Sequence, residues 1–498
     1  MSHQIPFCEE KKIKSYSGYH EIYAKIFKPK HVEELQKLVK YFYKNNISYS
    51  IMGTGLSFNN AFQHQHIICC KKLNQLHLDL ENNRILAQPG VTWGQVMKTI
   101  VPKGYVPPVV PTASNITVGG SFSCDTYSRM TATYGKEINQ IISFKIIIPN
   151  GDILYASRSE NEDLFYGAIT GMGTIGIVIE IEERVVYVGK NPAFCSIVRR
   201  FDRTKGVRFL NPKMNFDQRE EEDWKGSCAV FYHKKGNLCT LLAKHNWIDT
   251  TARNPTLVHQ IKNPSRVIGD FLMHFFPKIA ELSWDYYYKI IGKSANEEAI
   301  FIDSPYEASF VMETNTFSKA IARKLNIKLN MLQVTYAIPC STNSETDRLK
   351  YEAFVQNCMH LLKTHQLHTV MVDGAHVPPS KTGLFSSSNS NQKSYLFTMT
   401  FEGLALRDYD TVRKTLEKIS SICYHEYQGK IHLTKNVICP KNILKKMYAE
   451  AIEQLLVLKE KYDPKHLLQN NLLNELFDLQ TLPTNPSPNT TTLLEQSY

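Results

Sequence analysis

Two glycine-containing loops have residue types that could bind a dinucleotide. Gly53–Ser57 follows a β-prone run at Ile47–Met52, so backbone amides exposed after a strand could hold an anion, although the lysine of a phosphate-binding P-loop is absent. Farther along, Thr117–Gly120 ends in two adjacent glycines after a proline-rich approach. Adjacent glycines let a backbone approach a large flat group without side chains in the way. Together the loops predict a dinucleotide whose ring system lies against the backbone.

A third glycine-rich segment resembles a different fingerprint. Residues 171–176 (GMGTIG) fit GxGxxG, in which a strand precedes the glycines and a helix follows. Here the sequence predicts a helix at 160–169 before the glycines and a strand at 175–188 after them. The Rossmann interpretation therefore fails, and we predict that this turn passes close to the cofactor, with Ile177 as a candidate backbone contact.

The elements that must position these loops follow from hydrophobic periodicity. Residues 31–45 have apolar positions at helical spacing, and 141–148 and 153–156 predict a hairpin around Asn150-Gly151. Motif density drops after residue 190. Residues 191–430 predict a separate mixed α/β lobe that contains a helix at 407–422.

The order of the motifs resembles the FAD-binding half of the vanillyl-alcohol oxidase (p-cresol methylhydroxylase, PCMH) superfamily over residues 15–190. The motifs are GTGLS at 53–57, PGVTWGQV at 89–96, TVGG at 117–120, PNGD at 149–152, SENEDLF at 159–165 and GMGTIG at 171–176. The resemblance implies an α+β, two-lobed FAD-binding PCMH-type fold with a mixed α/β substrate (cap) domain. It places the FAD-binding domain at 15–190, the cap domain at 191–430, a segment returning to the flavin at 431–480 and a disordered tail at 481–498.

The same resemblance implies FAD as the cofactor and a set of residues that bind it. The predicted cofactor-binding residues are Gly53, Thr54, Gly55, Leu56, Ser57, Phe58, Asn59, Thr112, Thr117, Val118, Gly119, Gly120, Cys124, Asp125, Thr126, Tyr127, Ile177 and His432. Many superfamily members have a flavin-bonded histidine where this chain has Leu56. Because leucine has no nucleophilic atom, we predict non-covalent FAD. Cys124 is an alternative anchor, although a buried thiol beside the cofactor is the simpler interpretation.

The C-terminal part resembles the decaprenylphosphoryl-β-D-ribose 2′-oxidase family at residues 429–436, 461–465 and 332–339. That resemblance makes Lys435 the predicted catalytic and substrate-binding residue and His432 a flavin neighbour. Gln333 is a candidate substrate contact, but the sequence does not say which face of its strand meets the substrate.

The chain departs from that family after Cys124-Asp125. It has Tyr127 and Arg129 where the family has histidine and lysine, so the same sugar is in doubt, and Arg129 is a predicted substrate contact. The spacing from Gly120 to Tyr134 is instead close to that of Δ24-sterol reductase, a reductase of the same fold.

Composition limits the partners and the location. The net charge is +11, but the basic residues occur as scattered pairs, which disfavours a nucleic-acid groove. The eleven cysteines include no CxxC pair or zinc-finger spacing, and the N-terminus lacks a signal-peptide core, so we predict a cytoplasmic protein without a metal site. No apolar stretch reaches transmembrane length. The aromatic-rich segment 271–291 leaves peripheral membrane contact open.

Three functional hypotheses follow. The first is an FAD-dependent oxidoreductase that oxidises a secondary alcohol of a sugar-like or lipid-linked sugar substrate by hydride transfer to flavin N5. The second is a flavin-dependent reductase of an alkene in a sterol or isoprenoid. The third is a flavin-fold protein that binds a ligand or partner without turnover, which the two retained FAD loops disfavour.

Overall fold

The structure is a computed structural model that describes residues 8–211, 224–234, 237–250, 299–310, 321, 324–325, 330–340, 345–388 and 391–479. The aromatic-rich segment 271–291 and the tail predicted at 481–498 lie outside these residues. Within the described part of the chain, no helix is long and apolar enough to cross a membrane. All eleven cysteines are free thiols.

Residues 8–188 form the amino-terminal lobe. Its strands are β1 (Glu9–Lys14), β2 (Glu21–Phe27), β3 (Ser50–Met52), β4 (His66–Cys69), β5 (Leu76–Asp79), β6 (Arg84–Ala87), β7 (Tyr105–Val106), β8 (Ile141–Ile147), β9 (Ile153–Ser157), β10 (Ile177–Arg184) and β11 (Val186–Tyr187). Its helices are Val32–Lys44, Trp93–Ile100, Val118–Phe122, Thr131–Tyr134 and Glu162–Ala168, with 3₁₀ turns at Cys70–Lys72, Val101–Lys103 and Glu137–Gln140.

These strands form two main sheets. One has the order β1-β2-β4-β3, and the other is antiparallel with the order β5-β6-β10-β8-β9. The helix Val32–Lys44 buries Leu35, Leu38, Val39 and Phe42, whose spacing puts them on one helical face. They pack against residues of both sheets, so this helix joins the two layers.

The carboxy-terminal part is built on one large antiparallel sheet. Its strands are β12 (Pro192–Asp202), β13 (Gly226–Lys234), β14 (Asn237–Asp249), β15 (Ala299–Asp303), β16 (Met331–Cys340), β17 (Met371–Val377), β18 (Lys393–Glu402) and β19 (Lys430–Ile431), in the order β15-β12-β14-β13-β17-β18-β16-β19. The helices are Pro305–Ser309, Glu345–Thr364, Tyr409–Tyr427, Lys441–Met447, Ala449–Tyr462 and Asn471–Phe477, with 3₁₀ turns at Lys205–Leu210 and Gly403–Leu406.

The two faces of this sheet differ in chemistry. One face is apolar and packs on the helices Glu345–Thr364 and Tyr409–Tyr427. Tyr336 packs edge-on against Phe354, and its hydroxyl is hydrogen-bonded to Ser420 at 3.0 Å. Because side chains alternate along a strand, the strand residues next to Tyr336 in sequence face the opposite side of the sheet. That second face, here called the polar face, carries Gln333, Thr335, Asp373, Thr398 and Thr400.

The α+β character predicted from the sequence is confirmed, with two differences at element ends. The strand predicted at 175–188 is interrupted, because Val185 donates its N–H to Asn83 O and the chain then pairs with β7. The helix predicted at 407–422 runs from Tyr409 to Tyr427. Asp408 caps its start and Gln428, with a φ of +51°, ends it. The GMGTIG turn follows a helix and precedes β10, as predicted.

Candidate active site

The loop after β3 has backbone amides available for an anion. None of the amides of residues 54–58 donates a hydrogen bond to another described residue. Gly55 has a φ of +78°, a conformation that glycine adopts readily, and the Thr54 hydroxyl donates to Asn115 O at 2.7 Å. Leu56 and Ser57 are half-buried in the same loop. The conformation therefore suits the pyrophosphate of a dinucleotide.

The Gly-Gly segment begins the short helix Val118–Phe122, and its two glycines do different things. A Cβ atom on Gly119 would lie 2.6 Å from Cβ of Pro89, so Gly119 permits close packing. A Cβ atom on Gly120 would meet only Oγ1 of Thr117 within 4 Å. Thr117 caps the helix by accepting the Gly120 amide at 3.1 Å, and Val118 donates to Val91 O. Gly120 is thus the position at which a flat ring could approach.

The two glycine loops and the GMGTIG turn lie together. A Cβ atom on Gly53 would lie 2.4 Å from Oγ1 of Thr117, so the first loop abuts the second. Met172 donates its amide to Ser123 O at 3.2 Å, which places the turn beside the Gly-Gly helix. Ile177 is the first residue of β10 and its side chain is buried. Thr112 is half-buried in the loop that leads to Thr117.

The segment 432–436 docks on the first loop. The Asn59 side-chain amide donates to the backbone oxygens of Leu433 and Lys435 at 3.0 and 3.1 Å. The Asn436 amide donates to Phe58 O at 3.3 Å, and its Oδ1 accepts the Gln333 amide at 2.9 Å. Asparagine side chains thereby bring a residue 376 positions later in the chain beside the proposed pyrophosphate loop.

Lys435 is half-buried and lacks a hydrogen-bond or ion-pair partner among the described residues. Its Nζ lies 4.7 Å from the centre of the Phe58 ring, a cation–π contact that favours the charged form. Burial lowers the pKa of Lys435 to about 8, although the nearby Cys124 and Asp373 act in the opposite direction. An uncommitted ammonium at this position could donate to a bound ligand.

The loop from Cys124 to Arg129, here called the flavin loop, connects the two glycine loops to the large sheet. Burial raises the pKa of the Cys124 thiol to about 12, so the thiol stays protonated at neutral pH. Thr126 accepts the Glu137 amide through its backbone oxygen. The Tyr127 hydroxyl is hydrogen-bonded to Thr398 at 2.6 Å and Thr335 at 3.2 Å, and Arg129 O accepts the Ser227 amide at 2.9 Å.

Asp125 belongs to a buried ion pair that the sequence analysis missed. Lys136 Nζ lies 2.5 Å from Oδ2 of Asp125, which also accepts the amide and hydroxyl of Ser387 at 2.8 and 2.9 Å. Although burial favours the neutral acid, the Lys136 ammonium and the Ser387 amide hold the pKa of Asp125 below its usual value. The arrangement suggests that Asp125 positions the loop. No spacing rule connects residues 125, 136 and 387, so the sequence carried no signal for it.

His432 lies beside this ion pair. Its Nδ1 is 3.7 Å from Oδ2 of Asp125, and its ring centre is 5.8 Å from that of Tyr127. Burial lowers the pKa of His432 to about 3, against the pull of Asp125, so the imidazole is neutral at physiological pH. The neutral ring has one N–H donor and one acceptor nitrogen, one of which is hydrogen-bonded to the Thr434 hydroxyl through Nε2 at 3.1 Å, and it would not supply positive charge.

The polar face of the large sheet lies toward these loops, because Tyr127 bonds to two of its threonines. Gln333 donates through Nε2 to Thr400 at 2.9 Å, and its Oε1 is buried with no partner among the described residues. A buried unpaired amide oxygen is costly unless a ligand or water satisfies it. Asp373 is half-buried on the same face, directly across from Thr398. The sequence analysis did not single out Asp373, since only strand register reveals its neighbours.

Comparison with known proteins agrees with a flavin dinucleotide bound at the two glycine loops. Residues 23–157 match the FAD binding domain family. The chain is 26% identical over 148 residues to Delta(24)-sterol reductase of Homo sapiens, covering 30% of this chain and 28% of the reductase. It is 28% identical over 131 residues to decaprenylphosphoryl-beta-D-ribose oxidase of Mycolicibacterium smegmatis, covering 26% and 28%.

A third relative is cytokinin dehydrogenase 3 of Arabidopsis thaliana, which is 22% identical over 219 residues, covering 40% of this chain and 42% of the dehydrogenase. The matched region spans under half the length of each of these three relatives.

Proposed function

We propose, from the premise that residues 23–157 form an FAD-binding domain of the vanillyl-alcohol oxidase superfamily with FAD as its cofactor, that this protein is an FAD-dependent oxidoreductase. Its proposed reaction is oxidation of a secondary alcohol on a sugar-like or lipid-linked sugar substrate. The observation that carries the proposal is the uncommitted Lys435 ammonium beside a polar face with an unpaired Gln333 oxygen. Such groups would recognise hydroxyls.

Different residues would bind the FAD pyrophosphate, the flavin ring and the substrate. Amides of residues 54–58 would hold the pyrophosphate, and Gly120 would face the flat ring system. When bound, FAD supplies the acceptor for the hydride that leaves the alcohol carbon. Lys435 would donate a hydrogen bond to the substrate oxygen, and Gln333 Oε1 would accept one from a neighbouring hydroxyl. The sheet and the loops would together exclude water from this contact.

A sterol-like alkene reductase is the second candidate, favoured by the similarity to Delta(24)-sterol reductases in the FAD-binding part. The polar face argues for a hydroxylated substrate instead, because a wholly apolar ligand would leave the buried oxygen of Gln333 without a hydrogen-bond donor. A ligand-binding protein without turnover is the third. The uncommitted Lys435 ammonium beside the two glycine loops disfavours this third function, because binding without turnover does not require it.

An anaerobic screen would test the proposal. Purified holoprotein is mixed with sugar-like and lipid-linked sugar alcohols, and the visible flavin absorbance is followed. Bleaching by an alcohol, with the matching carbonyl product found by mass spectrometry, is the expected result. Reduction by NADPH followed by reoxidation with a sterol or isoprenoid alkene would instead favour the reductase. A flavin that no alcohol and no nicotinamide reduces would contradict both.

A further inference from the structure

Asp373 is a carboxylate on the polar face that the fold does not use. It lies across from Thr398 on β18 and from Val230 on β13. Within the described residues its carboxylate accepts no hydrogen bond, whereas the Asp125 carboxylate accepts several. Carboxylates that serve the fold are hydrogen-bonded when they leave water. An uncommitted carboxylate in a half-buried place is therefore free to interact with a ligand.

Asp373 lies across the sheet from the segment that carries Lys435. Asn436 and His432 donate their backbone amides to Gln333 and Thr335 on β16, so the segment that carries Lys435 runs beside that strand. Asp373 stands on β17, and β18 separates the two strands. Three strand spacings, from β17 across β18 and β16 to this segment, amount to about 14 Å between backbones, and the two side chains are near enough for each to shift the pKa of the other. A sugar-sized substrate on the polar face could therefore touch Lys435 from one side and Asp373 from the other.

Resting on the proposed alcohol oxidation, we propose that Asp373 accepts the proton of the substrate hydroxyl and that Lys435 remains protonated as the hydrogen-bond donor to the same oxygen. The O–H bond breaks and its proton forms the O–H of the Asp373 acid. The C–H bond would break with its electron pair leaving on the hydrogen as hydride, for which FAD, when bound, would supply the acceptor, and the carbon–oxygen bond would become a carbonyl. No further reactant is needed for this half-reaction.

The charge environment agrees with this division of roles. Burial raises the pKa of Asp373 to about 7, and Lys435 and Arg129 act in the opposite direction. Near pH 7 both forms of Asp373 would be populated, whereas Lys435 would be mainly protonated. A base must be unprotonated when the substrate arrives, so the carboxylate is better suited.

The charged and titratable groups that act on Asp373 come from several elements. They are Lys435 from the C-terminal segment, Arg129 and Tyr127 from the flavin loop, Cys228 from β13 and Tyr351 from the helix behind the sheet. The three neutral groups among them have raised pKa values, because burial disfavours their anions. They stay neutral near pH 7, so Asp373 and Lys435 are the members of this group that change charge in that range, and the Asp373 variants distinguish the one from the other.

The first test needs no substrate. The visible spectrum of the FAD-bound protein is titrated from pH 5.5 to pH 9 in the wild type, Asp373→Asn, Asp373→Glu and Asp410→Asn. Asp410 is an exposed residue of the helix Tyr409–Tyr427 and serves as the control. We expect a spectral transition near pH 7 that Asp410→Asn retains, Asp373→Glu shifts and Asp373→Asn lacks. The same transition in Asp373→Asn would overturn the proposal.

The second test uses an alcohol that reduces the wild-type flavin. Asp373→Asn should retain its FAD content but reduce at least about 100-fold more slowly, with the acidic limb of the kcat/KM profile lost. Asp373→Glu should recover part of the rate, and Asp410→Asn should match the wild type. Wild-type reduction by Asp373→Asn would overturn the role. If no alcohol reduces the wild-type protein, the proposed function fails, while the spectral titration still decides whether Asp373 ionises beside the flavin.

Discussion

The ammonium of Lys136 lies 2.5 Å from a carboxylate oxygen of Asp125, and neither side chain has any exposed surface. Lys136 also donates to the hydroxyl of Ser386 at 3.0 Å, a residue 250 positions away. This pair therefore links the flavin loop to a segment after β17 in the other part of the chain.

Breaking the pair should destabilise the protein strongly. Lys136→Met would leave the Asp125 charge buried without its partner, which costs about 3–5 kcal/mol. We expect a large drop in the denaturation midpoint followed by circular dichroism. Lys145→Met is the control, because Lys145 pairs with Glu180 at a partly exposed site where loss costs less than about 1 kcal/mol. Adding Asp125→Asn to Lys136→Met should recover part of the loss, and additive costs would contradict this account.

Gly120→Val should abolish FAD binding while the apoprotein keeps its fold. The new side chain would extend into the space beside Gly120, where the flavin ring is predicted to lie. FAD binding is measured by fluorescence quenching and folding by circular dichroism. Gly119→Ala is the contrasting variant. Its methyl group would collide with Pro89, so it should lower stability instead. Normal FAD affinity in Gly120→Val would show that the ring lies elsewhere.

FAD should leave the protein on denaturation. Leu56 offers no atom for a bond to flavin, and burial keeps the Cys124 thiol protonated by raising its pKa to about 12. After acid precipitation, the yellow colour is expected in the supernatant. Flavin that stays with the polypeptide would contradict the prediction. Repeating the experiment with Cys124→Ala would then identify or exclude that thiol as the link.

Lys435→Met should retain FAD yet reduce poorly with an alcohol. Methionine keeps most of the length that packs on Phe58 and removes only the charge and its hydrogen bonds. Equal losses in kcat and kcat/KM would indicate a contact made mainly in the transition state, whereas a raised KM alone would indicate simple anchoring. Lys414→Met, at an exposed position of the helix Tyr409–Tyr427, is the control. Wild-type reduction rates in Lys435→Met would remove Lys435 from the site.

Stability should fall as the pH rises above about 4.5, because of a buried pair of carboxyl groups. Burial raises the pKa of both Glu137 and Glu183 above the ordinary value of 4.5, and they lie beside each other under the Gly-Gly helix. The folded protein keeps protons that the unfolded chain has released, so raising the pH favours unfolding. Glu183→Gln should flatten the pH dependence of the thermal midpoint. Its neutral amide would replace the acid, whereas an unchanged pH dependence would show that other groups dominate.

Elements with strong local periodicity were predictable, and contacts between distant residues were not. The helix Val32–Lys44 and the hairpin of β8 and β9 follow from spacing within a dozen residues. The role of Asp373 depends on the register of β17 against β18, which no local pattern encodes. The face on which Gln333 lies was likewise open until the helices were seen to cover the opposite side.

The Asn59 contacts with Leu433 and Lys435 also bear on biosynthesis. The loops proposed to bind FAD have been translated once residue 177 is reached. The residues that contact these loops from the C-terminal segment, Leu433 and Lys435, come more than 250 codons later. The core of the amino-terminal lobe is completed equally late, because Leu467 and Leu468 belong to the cluster that packs on the helix Val32–Lys44, and Tyr49 donates its amide to Leu467 O. Premature termination before residue 432 would therefore remove Lys435 together with part of the core that supports the glycine loops.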